Sequence, residues 1–314
     1  MAEAIAELGA APDEARRYVE EAAEAWTTDG HLLPCEVQAA VAAPATARRR
    51  LGLDELRVEI AFHGDATPDR YDAVFGQFLC DAPGAALQLV GMGAREFLLR
   101  EGEPLAATSG PDMVAQLKAL LTELYVEAVG DGFLAHGGLL TRGRAAIFLS
   151  GAPGAGKTTL TLGLTAAGWA YGGDDIVRFD PDGRVRGAPF SAAVKSGAWP
   201  ILRRVIPAID QLPVALRSDG QTVRYWRPPV LADRAPRPLT AVVLLDRTPG
   251  AAARLEPAEP VDALRAILEG AYAARWRPDG EHMAVLAERL DAAACVRLTY
   301  SDLDQATAAL EALA

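Results

Sequence analysis

The stretch from Ala145 to Ala167 constrains the fold more than any other part of this sequence. It reads AAIFLSGAPGAGKTTLTLGLTAA, which is a short apolar run, a glycine-rich turn and then a segment without helix breakers until Gly168. This pattern predicts a buried strand, a tight loop and an amphipathic helix in direct succession. We therefore expect an α/β domain built around this unit.

The glycine-rich turn matches the pattern G-x-x-x-x-G-K-[ST] of a phosphate-binding loop. Its glycines let successive backbone N–H groups point at one spot, and the N-terminus of the helix adds partial positive charge there. A glycine-rich turn that binds nothing is the alternative interpretation. The phosphate site that we predict is lined by Gly151, Ala152, Pro153, Gly154, Ala155, Gly156, Lys157, Thr158 and Thr159.

Lysine is rare in this chain, and one lysine occupies the turn. Of the 31 basic residues only Lys118, Lys157 and Lys195 are lysines. An ammonium is a compact point charge on a flexible stem, whereas the guanidinium is a planar fork. The choice of lysine at position 157 indicates a role for that point charge, and Lys195 is a second candidate for the same reason.

Charge and composition exclude several classes of protein. The net charge of −11 argues against a general nucleic-acid binder, since such proteins neutralise phosphates with a basic face. The three cysteines lack the spacing of a zinc site or a disulfide framework. We find no basic segment followed by an apolar run at the N-terminus and no membrane-spanning apolar stretch, so we expect a soluble, cytoplasmic protein.

The predicted elements divide the chain into two domains. Residues 1–130 favour an N-terminal α+β domain, a candidate for substrate recognition, in which the first 50 residues are helical and Arg48–Arg50 form a solvated helix end. Leu56–Phe62 predicts a strand, and a helix runs from Pro111 to about Val129. The second domain is predicted to cover residues 131–314.

One histidine is predicted to lie close to the loop. Residues 134–140 and 145–150 favour an antiparallel hairpin across the turn at 141–144. In the expected register Leu140 faces Ala145, and His136 faces Leu149. The imidazole would then stand one step from the phosphate loop.

Two adjacent aspartates are predicted to lie opposite the loop. A βαβ crossover would bring the end of a strand near Tyr171 back to the edge that carries the loop, and Asp174 and Asp175 follow that strand. Two carboxylates beside phosphates indicate two tasks, which are to bind magnesium and to accept a proton from an attacking hydroxyl. A solvated turn is the alternative interpretation.

A third aspartate competes for the magnesium. In VVLLD, residues 242–246, four apolar residues precede Asp246, as in the Walker B strand of many nucleotide-binding proteins. Apolar strands often end in aspartate at a turn, so this pattern is a weak one. The sequence leaves both candidates open.

Residues 136–177 resemble the bacterial HPr kinase/phosphorylase family and its relatives with the PEP-carboxykinase-like phosphate-loop fold. In that family a His-Gly pair starts the strand ahead of the loop, and a double aspartate follows the loop helix. Here His136 precedes Lys157 by 21 residues, and Asp174 follows it by 17 residues. Residues 191–200 are most similar to the shorter HPr-kinase-like proteins, which include lasso-peptide precursor serine kinases.

The resemblance implies a P-loop kinase domain of the HPr kinase/PEP carboxykinase-like type over residues 131–314, with ATP and Mg2+ as cofactors. The implied reaction transfers the γ-phosphate to a hydroxyl, with serine of a small protein or peptide as the expected acceptor. Lys157 would hold the phosphates, Thr158 and Asp175 the magnesium, and Asp174 would accept the hydroxyl proton. His136 would orient that carboxylate or contact the transferred group.

Two further basic residues, Lys195 and Arg227, are candidates for contacts with phosphate. Lys195 is predicted to face a phosphate and Arg227 to stabilise the transferred phosphate, with a surface or packing role as the alternative for each. The resemblance is also compatible with a homo-oligomer, although the sequence does not determine the oligomeric state. A kinase of a small hydroxy-amino acid, or a regulatory module that binds nucleotide without transfer, are the alternative functions.

Overall fold

A computed structural model describes residue 9 and residues 11–28, 32–272 and 279–314. The chain is a mixed α/β protein with several sheets. It forms two compact units, of which the first comprises Met1–Gly52, Leu56–Leu121 and Ala215–Ser218, and the second comprises Leu53–Glu55, Thr122–Val214 and Asp219–Ala314. The division between Leu121 and Thr122 falls within the helix Gly110–Ala128, whereas the sequence predicts a boundary at residue 130.

The first unit is built on a five-stranded sheet of order β1-β2-β3-β4-β5. Strands β2 and β3 are parallel, whereas β3 and β4 and then β4 and β5 are antiparallel. The strands are β1 (Ala47–Leu53), β2 (Leu56–Gly64), β3 (Ala85–Met92), β4 (Arg95–Arg100) and β5 (Glu103–Ser109), and the helices are α1 (Pro12–Thr28), α2 (Cys35–Ala42), α3 (Asp69–Phe75), the 3-10 turn Gly76–Phe78 and α4 (Gly110–Ala128), which ends in the second unit.

The predicted helix end at Arg48–Arg50 is wrong, because these residues lie in strand β1. Their side chains alternate along the strand and find carboxylates on its neighbours. Arg48 and Arg50 each stand 2.7 Å from Glu59, and Arg49 stands 2.7 Å from Asp72. Ion pairing across a strand is a tertiary contact that the local charge run cannot reveal.

The second unit contains two larger sheets, of order β15-β11-β10-β6-β18 and β17-β19-β16-β8-β7-β9. Within the described ranges no helix combines the length and the apolar character needed to cross a bilayer. The strands are β6 (Phe133–His136), β7 (Gly138–Arg142), β8 (Ala145–Ser150), β9 (Ala170–Gly173), β10 (Ile176–Phe179), β11 (Arg184–Gly187), β12 (Ala192–Lys195), β13 (Val214–Leu216, where the chain returns to the first unit), β14 (Thr222–Trp226), β15 (Arg237–Pro238), β16 (Ala241–Arg247), β17 (Arg254–Pro257), β18 (Ala271–Tyr272) and β19 (Ala294–Tyr300).

Helices cover both faces of the six-stranded sheet. The helices of this unit are α5 (Lys157–Ala166), α6 (Trp199–Leu202), α7 (Pro260–Glu269), α8 (Gly280–Asp291) and α9 (Leu303–Leu310), with 3-10 turns at Ser196–Ala198, Pro207–Gln211 and Glu311–Leu313. Ile147 and Leu149 of β8 pack in one apolar cluster with α5 and α9, and Phe148 packs in another with α7 and α8. The whole of β8 is buried, as the continuous apolar run predicts for a strand covered on both sides.

The strand directions bring several strand ends to one edge. Strand β16 is parallel to both β8 and β19. Strand β7 is antiparallel to β8, and β9 is antiparallel to β7, so β9 runs in the same direction as β8. The carboxyl ends of β8, β9, β16 and β19 therefore lie on the same side of the sheet, as the predicted crossover requires for β9.

The predicted hairpin is antiparallel, but its expected register is wrong. Gly138 faces Leu149, and the strands are joined by the two residues Gly143 and Arg144. Strand β7 thus continues two residues further than the turn signal implied. His136 is not in this hairpin, because it ends β6 in the neighbouring sheet, where it pairs with Ile176 of β10.

Gly137 lies at the switch between the two sheets. A Cβ atom at this position would stand 2.3 and 2.4 Å from two ring carbons of Phe148 and 2.8 Å from the carbonyl oxygen of Leu149. The Phe148 ring is fully buried and packs edge-on against Phe179, so it has no room to yield. Only glycine lets the chain pass this close to β8.

We therefore expect Gly137→Ala to lower the free energy of unfolding by about 1–3 kcal/mol, the usual cost of overpacking a filled core. Denaturant unfolding measures this loss. Gly130→Ala is the matched control, since no atom lies within 4 Å of the corresponding Cβ position. Equal unfolding midpoints for the two variants would contradict the proposed close approach.

Candidate functional site

The loop between β8 and α5, residues 151–156, has a conformation that suits an anion, and we call it the cradle. Gly154 and Gly156 adopt positive φ angles of 85° and 90°, which side chains rarely tolerate. Gly156 caps the helix without a side-chain hydrogen bond. The N–H groups of the first helical turn lack acceptors within the helix, so they are available to a ligand at this end.

Lys157 begins the helix and folds back over the loop. Its side chain is only 8% exposed, and its Nζ atom donates to the carbonyl oxygen of Gly151 at 2.7 Å. Burial lowers the pKa of this ammonium, while the Asp175 carboxylate raises it and the Lys195 ammonium lowers it. Residues on β12 and after β9 therefore both affect the pKa of this ammonium.

The loop is fixed from the neighbouring strands. The Tyr300 hydroxyl at the end of β19 donates to the carbonyl oxygen of Ala155 at 2.6 Å, and burial raises the pKa of Tyr300 to about 12. Gly151 packs against Leu245, since a Cβ on that glycine would stand 3.0 Å from Cβ of Leu245. A neutral hydroxyl and a tight apolar contact therefore hold the cradle in one shape.

The two aspartates after β9 differ in their surroundings. Asp174 is buried, and the Tyr171 hydroxyl donates to its Oδ1 atom at 2.7 Å while lying 2.8 Å from the carbonyl oxygen of Phe190. Burial and the Asp174 charge raise the pKa of Tyr171, which keeps it a hydrogen-bond donor. Asp175 is half-buried. One carboxylate is enclosed and fixed, and the other is accessible.

His136 contacts Asp175 rather than Asp174. Its Nδ1 atom lies 2.9 Å from the carbonyl oxygen of Asp175 and 3.2 Å from the Oδ1 atom of the same residue. The pairing of β6 with β10 brings the two residues together, and the backbone N–H of His136 donates to Gly270 at 2.7 Å. The predicted pairing of His136 with Leu149 is wrong, because Leu149 pairs with Gly138. A role for His136 in function stays a prediction.

Lys195 and Arg227 lie towards opposite ends of one ladder. Strands β12 and β14 pair with Lys195 opposite Val223 and Ala192 opposite Trp226. Arg227 follows Trp226 and is exposed, about four residues, or 13 Å, along the strand direction from Lys195. Lys195 lowers the pKa of Lys157, and Arg227 is one residue beyond the pair of Ala192 and Trp226 at the other end of the ladder.

Asp246 lies on the same edge of the sheet as the loop. It stands two residues beyond Leu244, which pairs with the last residue of β8, Ser150. Its carboxylate is exposed and accepts a hydrogen bond from Thr248 at 3.3 Å. Asp246 and Asp175 thus flank the loop from opposite sides, and the choice between them as magnesium ligand stays open.

The residues present fit a nucleotide with magnesium. Within the described residues no group of three or more His, Cys, Asp and Glu side chains is arranged to hold a metal. Magnesium bound to a nucleotide needs only one or two protein carboxylates, because phosphates and waters complete its shell. No atom stands within 4 Å of a Cβ built on Gly154, so the loop has open space above it for phosphates.

Comparison with known proteins adds no relative. No protein-family model matches this sequence, and no curated protein matches it either.

The sequence does not predict the roles of two tyrosines at the site. Tyr171 lies three positions before Asp174, a spacing that no motif uses, and Tyr300 lies 145 residues from the carbonyl that it holds. Tyr171 was detectable only as a polar residue in an otherwise apolar short strand. Nothing in the sequence near Tyr300 connects it with the loop.

Binding of inorganic tripolyphosphate should be coupled to proton uptake. In the free protein, burial holds the pKa of Lys157 below the ordinary lysine value of 10.5. The negative charge of bound phosphate would raise this pKa again. Between these two pKa values the complex holds more protons than the free protein, so affinity should fall as pH rises through the lowered pKa. Calorimetry in two alkaline buffers of different ionisation enthalpy measures the uptake.

The matched variants are Lys157→Arg and Lys195→Arg. A guanidinium keeps its proton throughout this range, so Lys157→Arg should bind without proton uptake. Lys195→Arg should retain it. Undiminished uptake in Lys157→Arg would contradict the assignment to Lys157.

Proposed function

We propose that this protein is an ATP- and Mg2+-dependent kinase with a P-loop fold similar to that of the HPr kinase/phosphorylase family. It transfers the γ-phosphate to a hydroxyl, with serine of a small protein or peptide as the expected acceptor. The observation that carries the proposal is the contact of 3.2 Å between His136 Nδ1 and Asp175 Oδ1, at the edge of the sheet where the Lys157 ammonium donates to the loop carbonyl of Gly151. The Asp175 carboxylate also raises the pKa of Lys157. Enzymes of phosphoryl transfer use such a combination of an ammonium, carboxylates and a phosphate-binding loop.

The proposed reaction needs position and charge more than covalent chemistry. The acceptor oxygen forms a bond to the γ-phosphorus while the bond from that phosphorus to the bridging β–γ oxygen breaks, and ADP leaves. Asp174 accepts the proton of the hydroxyl. Its enclosure excludes water, and the hydrogen bond from Tyr171 holds one of its oxygens in place.

The ammonium of Lys157 and the N–H groups of the loop would hold the β- and γ-phosphates. Thr158 and the accessible Asp175 would hold magnesium, which supplies positive charge to the phosphates when bound. His136 orients Asp175 through its Nδ1 atom. Lys195 adds a second ammonium on the side of β12, and a cytoplasmic location would supply the ATP.

Asp174→Asn should reduce phosphoryl transfer by about 10²- to 10⁴-fold, the usual contribution of a general base, while ATP binding stays close to that of the wild type. The assay follows labelled phosphate from ATP onto serine-containing peptides and onto any small protein encoded beside the gene. Asp182→Asn is the matched control, because Asp182 is an exposed turn residue paired with Arg184. Normal turnover by Asp174→Asn would refute the assignment.

The size of the labelled product separates two acceptor classes. A peptide-sized product supports the protein or peptide kinase, and a metabolite-sized product would instead indicate a kinase of a small hydroxy-amino acid.

A regulatory nucleotide-binding module is the second candidate, and the position of Asp246 beside β8 favours it. In that case Asp246→Ala should abolish magnesium-dependent ATP binding, whereas Asp174→Ala should not affect it. The kinase predicts instead that Asp246→Ala retains transfer.

A further inference from the structure

A cleft of about 320 Å³ opens beside the phosphate loop. Gly156 and Thr159 form its inner wall, so the cleft and the cradle share the first turn of α5. Its remaining walls come from the ends of β16 and β19, the short helix α6 and the first turn of α9. The volume lies at the small end of the range that ligand pockets occupy.

The two strands that border the cleft lie on the other side of β8 from β9, which precedes Asp174 and Asp175. In the sheet order β19-β16-β8-β7-β9, the loop follows β8, the aspartates follow β9, and the cleft is bordered by the ends of β16 and β19. A ligand anchored on the loop can therefore extend in two directions along the edge. If the terminal phosphate of such a ligand points towards Asp174 and Asp175, the remainder of the ligand extends towards the cleft.

The walls of the cleft suit a flat heterocycle. Ile201, Val205 and Leu303 contribute half-buried apolar surface. Arg204 is neutralised by an ion pair with Asp304. Arg247 is exposed, and no carboxylate among the described residues pairs with its guanidinium, which is a planar group that stacks on aromatic faces.

Arg247 also lies next to the loop. Its Cδ atom is 3.9 Å from the position of a Cβ built on Gly156. A ligand whose phosphates occupy the cradle would meet this side chain directly on entering the cleft. Arg247 therefore lies where the part of a ligand next to its phosphates would enter the cleft.

We propose that this cleft binds the ribose and base of the nucleoside triphosphate, with the Arg247 guanidinium against the base. The inference rests on the proposed function, since it takes the phosphates of the same nucleotide to lie in the loop. It adds residues that decide whether the donor is a nucleotide or an inorganic polyphosphate.

The test compares ATP with inorganic tripolyphosphate, which offers similar phosphates without ribose or base. Arg247→Ala should weaken ATP binding about tenfold, as expected for loss of a stacked guanidinium, and leave tripolyphosphate binding unchanged. The matched control is Arg265→Ala, which removes an exposed arginine of α7 that does not line the cleft. It should change neither affinity.

A second variant tests the cleft without changing charge. Ile201→Trp should fill part of the space and again weaken ATP selectively, and Ile201 is outside the apolar core clusters, so the fold should accept the larger side chain. Equal losses for both ligands in Arg247→Ala would overturn the proposal, because Arg247 would then act on phosphate. Unchanged ATP affinity in both variants would also overturn it.

The readout is binding, so the two proposals can fail separately. A wild-type protein that binds ATP more tightly than tripolyphosphate and shows the selective losses, but transfers no phosphate, supports the cleft and refutes the kinase. Transfer by a protein whose variants show no selective loss supports the kinase and overturns the cleft.

Discussion

The common direction of four strands is the constraint on which the site depends. Because β8, β9, β16 and β19 end at one edge of the sheet, the segments that follow them start close together. The segments after β8 and β9 carry the loop and the aspartate pair, and Asp246 and Tyr300 are at the ends of β16 and β19 themselves. Residues far apart in the sequence thus become neighbours without any local signal that connects them, as in other open α/β sheets.

Burial gives this edge its chemical character. Lys157 is largely removed from water, and the carbonyl oxygens of the loop solvate its ammonium in place of water. In such surroundings a charge interacts more strongly with a bound anion than it would in bulk solvent. The Asp175 carboxylate raises the pKa of Lys157, which offsets part of the lowering that burial and the Lys195 ammonium cause.

The approach of a second sheet completes the site. His136 comes from β6, whose sheet lies against the first one only because Gly137 permits the contact with Phe148. Tyr171, in turn, reaches Asp174 from within the strand that delivers the aspartates. Asp174 thus has a hydrogen-bond partner within its own strand segment, and Asp175 has its partner, His136, in the other sheet.

The sequence by itself determined the strand, loop and helix around Lys157, because apolar periodicity and glycine-rich turns are local signals. It also placed the aspartate pair at the correct edge, since the lengths of the helix and the return strand fix the crossover. Only the tertiary structure decided the partner of His136, the tie from Tyr300 to Ala155, the strand that contains Arg48–Arg50 and the cleft beside Arg247. Each of these features depends on strand register or on contacts between distant segments. The local pattern of residues predicts neither the register nor such contacts.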